Sequence, residues 1–273
     1  MYKLFATDVD GTLIDHNFNL CNQNKAAISA AQAKGINIVL CSGRSHESLK
    51  FFARDLGIVA PGNFLIGFNG CTIYDLHEDK ILFEHGLDIE PAIAALAAFE
   101  ASGIAAEPIV YLNSREVLIK NHGTWSREYM QTSKVSAIIA DDQIAALRDR
   151  DSISKIIFIG ENGSLQALNT ALKKALGDRA TVLFSAEYLL EVMTVNTDKG
   201  VALAWLCKYL GINMASTIAM GDNYNDIPMI EAAGHGIAVA NAVSELKAVA
   251  NYITDADCEN GAVAEVVGKF LLV

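Results

Sequence analysis

The sequence predicts an α/β protein with a Rossmann-like, doubly wound core sheet and an α+β segment inserted into it. Short apolar runs alternate with Ala- and Leu-rich helical stretches at both ends of the chain. Several of these runs stop at acidic or Gly-containing turns, where parallel strands present their carboxyl ends. The middle of the chain breaks the alternation.

Met1–Thr7 is short, apolar and ends at an acidic turn, which suits a buried parallel strand. Gln23–Lys34 carries Ala26, Ala27, Ile28, Ala30, Ala31 and Ala33 and meets a helix stop at Gly35. Ile36–Cys41 predicts a second strand and Ser45–Leu56 a second helix. The same rhythm returns late in the chain. Val201–Leu210, Asp226–Ala233, Ser244–Ala250 and Ala262–Phe270 read as helices, Thr217–Met220 and Gly236–Val239 as strands.

Between these halves, Pro91–Ser102 and Leu165–Leu176 read as helices, Ile109–Leu112 and Glu116–Lys120 as a strand pair, and Ile153–Ile159 as a strand. Trp125, Tyr129 and Met130 fall at helical spacing and are expected to pack. Residues 1–84 and 191–273 are therefore expected to form one discontinuous core, and residues 85–190 an inserted α+β domain.

Composition narrows the function. The chain has 273 residues, 52% of them hydrophobic, enough for a sizeable core. A net charge of −11 supplies no basic surface for a phosphate backbone, so nucleic acid is not expected as a partner. Cys21, Cys41, Cys71, Cys207 and Cys258 are scattered, without zinc or CxxC spacing, and read as reduced thiols. The six histidines form no HExxH pattern. No membrane partner is expected, since no apolar run approaches the roughly 18 residues of a span, and a cytoplasmic location follows as the expectation.

The chemistry concentrates at strand ends. Asp8-Val9-Asp10-Gly11-Thr12 follows the first strand, so both carboxylates fall where open sheets bind ligands. Asp8 can attack a phosphoryl group while Asp10, if protonated, donates its proton to the leaving oxygen. Taken alone, this string is equally compatible with a polar turn. Ser42-Gly43-Arg44 follows the second strand and offers a hydroxyl and turn amides for phosphate, though Ser42 alone could be a helix N-cap. Gly221-Asp222-Asn223-Tyr224-Asn225-Asp226 follows a third strand and adds oxygen ligands of the kind Mg²⁺ takes. Lys199, before an Ala/Leu-rich helix, supplies the cation that two acids and a phosphate dianion require.

These four segments resemble, in order and spacing, the motifs of the haloacid dehalogenase superfamily, most closely its Cof-type phosphatases. The resemblance implies a Rossmann-like core with an α+β cap inserted after the second motif. It implies a phosphoaspartate on Asp8, with Asp10 protonating the leaving group and then activating water. Ser42, Gly43 and Lys199 would hold the phosphoryl group. Mg²⁺ would bind Asp8, the Asp10 main-chain carbonyl and Asp222, while Asn225 and Asp226 would support phosphate and Lys199. Arg44, Asn69 and Gly70 match substrate-side positions, although Asn69-Gly70 is also a type I′ hairpin signal. The segment Val195-Asn196-Thr197-Asp198 lacks a glycine that relatives carry before the lysine. The implied substrate is a small phosphorylated metabolite such as a sugar phosphate. A phosphomutase or phosphotransferase would use the same intermediate. A phospho-accepting signalling module would need neither Asp10 as acid nor a large insertion.

Overall fold

The computed structural model describes residues 1–133 and 135–272; Lys134, within the expected insertion, and Val273, at the end of the expected core, lie outside the described residues. The chain divides into two compact units, residues 1–84 with 197–273, and residues 85–196.

In the first unit the strands before the insertion are β1 (Leu4–Asp8), β2 (Asn37–Cys41), β3 (Phe64–Gly67), β4 (Thr72–Asp75) and β5 (Lys80–Glu84). Helices α1 (Asn22–Ala33) and α2 (His46–Leu56) connect the first three. Ser45, not Ser42, caps α2, accepting from the Ser48 amide at 3.2 Å.

In the second unit, strands β6 (Leu87–Asp88), β7 (Glu107–Tyr111), β8 (Glu116–Ile119), β9 (Ser136–Ile139), β10 (Ser152–Ile153), β11 (Lys155–Ile159), β12 (Thr181–Ala186) and β13 (Leu189–Met193) alternate irregularly with helices. These are α3 (Ile89–Ser102), α4 (Thr124–Ser133), α5 (Gln143–Leu147) and α6 (Asn162–Leu176). Six strands form a sheet in the order β12-β13-β11-β7-β8-β9, antiparallel except for β8 with β9. One face buries Val110, Leu118, Ile156, Phe158, Leu190 and Val192 against α3, α5 and α6. The single strand expected over Ile153–Ile159 is two: β10 pairs with β6 in a separate ribbon, and β11 joins the large sheet. Because β13 runs to Met193, this sheet extends beyond residue 190. Trp125 does not pack as expected, being 38% exposed.

The chain returns to the first unit with α7 (Lys199–Leu210), β14 (Thr217–Gly221), α8 (Ile227–Ala232), β15 (His235–Ala238), α9 (Ser244–Val249), β16 (Tyr252–Ile253) and α10 (Ala262–Val266). Its eight-stranded sheet runs β16-β15-β14-β1-β2-β3-β4-β5, parallel from β16 to β3 and antiparallel beyond. Alternation along β1 explains the two layers of helices. Phe5 faces a core with Ile28 of α1, Leu49 of α2 and Val263 of α10. Leu4 and Ala6 face the opposite core with Leu203 of α7, Met229 of α8 and Leu246 of α9. Burying each large apolar side chain contributes about 1.5–3 kcal/mol, which fixes the register of β1 as well as its position. The order of connection reverses on either side of β1, and the crevice at such a switch point is where α/β sheets bind ligands. No helix among the described residues is long and apolar enough to cross a membrane.

Candidate active site

Strand register brings the motifs together. Asp8 pairs with Cys41 of β2, so Ser42 stands one residue beyond it on the neighbouring strand. Thr7 pairs with Met220 of β14, so Gly221 runs beside Asp8 and Asp222 follows at the strand end. Lys199 arrives from the first turn of α7, whose N-cap Asp198 accepts from the Val201 amide at 2.7 Å.

Lys199 is fully buried, and its Nζ donates to Asp8 Oδ1 at 2.6 Å and to Asp226 Oδ1 at 2.5 Å. Burial alone would drive the ammonium to lose its proton. The Asp226 and Asp8 carboxylates more than offset that and hold its pKa above the usual lysine range. Asp226 also accepts the Asp222 and Asn223 amides on Oδ2, both at 3.0 Å, which ties the β14 turn to the lysine. A Cβ on Gly221 would come within 2.5 Å of Asp226 Cβ, so this turn requires glycine.

Asp8, Asp222 and Asp226 each offer an oxygen within 4.8 Å of the others. One buried ammonium cannot neutralise three carboxylates. Desolvation, with repulsion from Asp226 next, raises the Asp8 pKa well above the ordinary carboxylate range and pushes Asp222 up to about 7. Thr12 Oγ1 opposes this by donating to Asp222 Oδ1 at 2.8 Å.

The donor set fits Mg²⁺. Both Asp226 oxygens are committed to Lys199 and to backbone amides, which makes Asp226 a support. Asp8 Oδ2 and Asp222 Oδ2 carry no hydrogen bond among the described residues, leaving two carboxyl oxygens for a hard divalent cation.

Asp10 stands apart from this cluster. Its carboxylate receives Arg44 Nε and Nη2, each at 2.7 Å, in a bidentate pair. Arg44, expected on the substrate side, thus has part of its guanidinium fork engaged with Asp10. Gly11 (φ +80) turns the backbone directly after Asp10, and its missing Cβ leaves room for Asp222 Oδ2, which one would meet at 2.7 Å.

Ser42 is buried, and its Oγ accepts the Arg44 amide at 3.1 Å while retaining its own O–H donor. Asn69 and Gly70 lie in a four-residue loop between β3 and β4, not in a two-residue type I′ turn, since Gly67 pairs with Thr72. Phe68, Asn69 and Gly70 all have positive φ, at 50°, 53° and 106°. The loop is stapled to the second motif by the Phe68 amide on Arg44 O at 2.8 Å and the Asn69 amide on Ser42 O at 3.0 Å. Asn225 Nδ2 donates to Asn69 Oδ1 at 3.0 Å, and Gly43 leaves space for the Asn69 amide, 3.3 Å from where its Cβ would lie. The expected site residues therefore gather at one end of the sheet in the first unit, on strand ends, the turns after them and the start of α7.

Sequence reasoning gave no role to Thr12 or to Asn241, which donates to Gly11 O at 2.8 Å and accepts the Cys258 amide at 3.0 Å. Thr12 lies in the first motif, whereas Asn241 carries no local sequence signal. In the segment before Lys199, Asn196 takes φ +57, a conformation asparagine tolerates better than most residues.

The family model for haloacid dehalogenase-like hydrolases matches residues 5–267. The HMP-PP phosphatase of Citrobacter koseri is 30% identical over 279 residues, covering 99% of this chain and 96% of that protein. A crystal structure of a haloacid dehalogenase-like hydrolase from Bacteroides thetaiotaomicron superimposes with a TM-score of 0.88 at 26% identity, covering 98% of this chain and 99% of that one. A haloacid dehalogenase-like hydrolase from Bacillus subtilis gives 0.84 at 26% identity, covering 98% and 100%. With these matches spanning almost its whole length, the chain belongs to the haloacid dehalogenase-like hydrolase family, as a phosphoric monoester hydrolase.

Proposed function

We propose that the protein is a Mg²⁺-dependent phosphatase that hydrolyses small phosphorylated metabolites, sugar phosphates among them, through a phosphoaspartate on Asp8. The observation that carries this is the buried Asp8–Lys199–Asp226 bridge with Asp222 beside it. Its ammonium holds one Asp8 oxygen, and the other is left for attack or for metal. The C. koseri relative is named for a small phosphorylated substrate, which supports the substrate class.

In this reading Asp8 attacks phosphorus and the ester P–O bond breaks as Asp10 gives its proton to the departing oxygen. Asp10 then takes a proton from water, whose oxygen attacks the phosphoaspartate and releases Asp8 and inorganic phosphate. Lys199, Ser42 and the turn amides at Gly43 bind the phosphoryl oxygens, with Asn225 supporting them through Asn69. Asp8, Asp222 and the Asp10 carbonyl would hold Mg²⁺, which when bound supplies charge neutralisation for the phosphate and the carboxylates. Arg44 fixes the Asp10 carboxylate beside the site.

The test is phosphate release from a panel of phosphorylated metabolites with Mg²⁺ and after exhaustive chelation. Turnover should require the metal and vanish in Asp8→Asn. Metal-independent turnover, or an active Asp8→Asn, would overturn the reading.

A further inference from the structure

We propose that Phe18 and Phe52 brace the Arg44 guanidinium and through it fix the Asp10 carboxylate, which makes Phe18 a positioning residue for the acid/base step. This builds on Asp10 serving as acid and base. The Arg44 Cζ lies 5.3 Å from the centroid of the Phe18 ring and 5.5 Å from that of Phe52, both within cation–π range. The same guanidinium donates to both Asp10 oxygens at 2.7 Å. Arginine suits this place because its planar fork can bind a carboxylate along its edge while its carbon packs on aromatic rings.

Phe52 is a core residue of α2, and its place needs no special cause. Phe18 does. It is 52% exposed and has φ +63, a backbone conformation that bulky residues rarely adopt. Burial does not explain a large ring held half in water on strained backbone. The strap around it is fastened on both sides. Asp15 Oδ1 accepts the Asn17 and Asn19 amides at 2.8 and 2.7 Å, Asp15 Oδ2 accepts Asn19 Nδ2 at 3.0 Å, and the Phe18 amide donates to Asp15 O at 3.1 Å. The strap begins directly after Ile14, whose carbonyl accepts the Gly11 amide at 3.1 Å, so it is tied to the turn that carries Asp10. Strained residues persist where the surrounding structure over-determines them, and here the outcome is a ring placed against Arg44.

The experiment measures kcat/KM, which reports phosphoenzyme formation and not its later hydrolysis, for para-nitrophenyl phosphate, whose leaving group needs little protonation, and for glycerol phosphate, whose alkoxide leaving group needs a proton. Asp10→Asn should lower kcat/KM for glycerol phosphate by about 10²- to 10⁴-fold and that for the aryl ester far less. Phe18→Leu keeps apolar bulk and removes the ring, and should lower kcat/KM for glycerol phosphate by about 2- to 5-fold, the factor an exposed cation–π contact supports, with that for the aryl ester unchanged. Phe18→Tyr should restore the wild-type ratio of the two substrates. Phe18→Gly should show the same loss as Phe18→Leu with an equal or higher thermal midpoint, because glycine relieves the positive φ. A wild-type substrate ratio in Phe18→Leu alongside a selective loss in Asp10→Asn would overturn the brace alone. Equal losses of kcat/KM on both substrates would also overturn it. No selective loss in Asp10→Asn would overturn the role of Asp10 and the brace together.

Discussion

Lys199 Nζ donates to Asp8 Oδ1 at 2.6 Å although the two residues are 191 positions apart in the chain. Replacing the lysine by an apolar residue of similar length leaves Asp8, Asp222 and Asp226 facing one another without a buried cation. Lys199→Met should therefore lower turnover at pH 8 by at least about 10²-fold, the scale of losing one fixed donor to a developing anion. Breaking a buried pair from one side costs about 3–5 kcal/mol, so the variant should also melt earlier. Steady-state kinetics and thermal melts check both. A normal melt at pH 8 would mean that the lysine is not the counter-ion of this cluster.

The raised Asp222 pKa predicts an uncommon pH dependence for the metal-free protein. In the unfolded chain this carboxyl titrates near about 3.9, whereas burial and then repulsion from Asp226 push it up to about 7 in the fold. The native state thus binds the extra proton within that window. Its stabilising contribution is fully present below the unfolded value and is lost as pH rises through about 7. Melts of metal-free protein should show this loss, and Asp222→Asn should flatten it. Mg²⁺ should raise the midpoint more at pH 8 than at pH 6. An Asp222→Asn variant with the wild-type slope would contradict the assignment.

Thr12 acts on the candidate metal site through one hydrogen bond to Asp222. Thr12→Val removes that donor with little change of shape. The Mg²⁺ concentration for half-maximal activity should rise by about 10- to 100-fold, with most of kcat recovered at saturation. Thr12→Ser should behave as wild type. The readout is activity across a Mg²⁺ titration.

Two glycines with positive φ separate steric crowding from backbone preference. A Cβ on Gly70 (φ +106) would lie 2.2 Å from Asp198 O, next to Lys199, while one on Gly35 (φ +79) meets nothing within 4 Å. Gly35→Ala should cost about 1–2 kcal/mol for the left-handed conformation alone. Gly70→Ala should add about 1–3 kcal/mol of overpacking and should also reduce activity. Chemical denaturation of both variants gives the comparison, and equal losses would show that the Asp198 carbonyl yields freely.

The two acids of the first motif have unlike surroundings, Asp8 buried against an ammonium and Asp10 paired with Arg44. Asp8→Asn should abolish turnover and covalent labelling together. Asp10→Asn should allow an aryl phosphate to phosphorylate Asp8 but slow the hydrolysis that follows, so phosphoenzyme accumulates. Acid quench and mass spectrometry locate the adduct, and an adduct elsewhere than Asp8 would refute the assignment.

The core was readable because its strands are apolar runs that stop at chemically distinctive turns. Asp8, Ser42 and Asp222 stand at such turns and Lys199 opens an Ala/Leu-rich helix, so that their placement together at one end of the sheet was legible. Strands β12 and β13 were not. Glu191 interrupts Leu189–Met193 with a charge, and its burial makes sense only beside Lys155 of the paired strand, whose Nζ lies 2.8 Å away. Asn241 and Phe18 were equally invisible. Their roles depend on tertiary neighbours and, for Phe18, on a left-handed backbone that an aromatic residue does not advertise. The engagement of Arg44 with Asp10 likewise follows from a loop crossing, not from the spacing of the two residues.

The central strand β1 lies between an early neighbour, β2, and a late one, β14. Thr12 and Asp222, which meet at the end of that late pairing, are 210 residues apart. At ribosomal speeds of about 5–20 residues per second, that interval is about 10–40 s. During biogenesis β1 can pair with β2 long before β14 emerges, and its other edge stays open to foreign strands. Asp8 gains its ammonium and its two acidic neighbours only when the late segments dock. Hydrolytic competence is thus a late event in the life of each nascent molecule, and chaperone demand should track the exposed β1 edge.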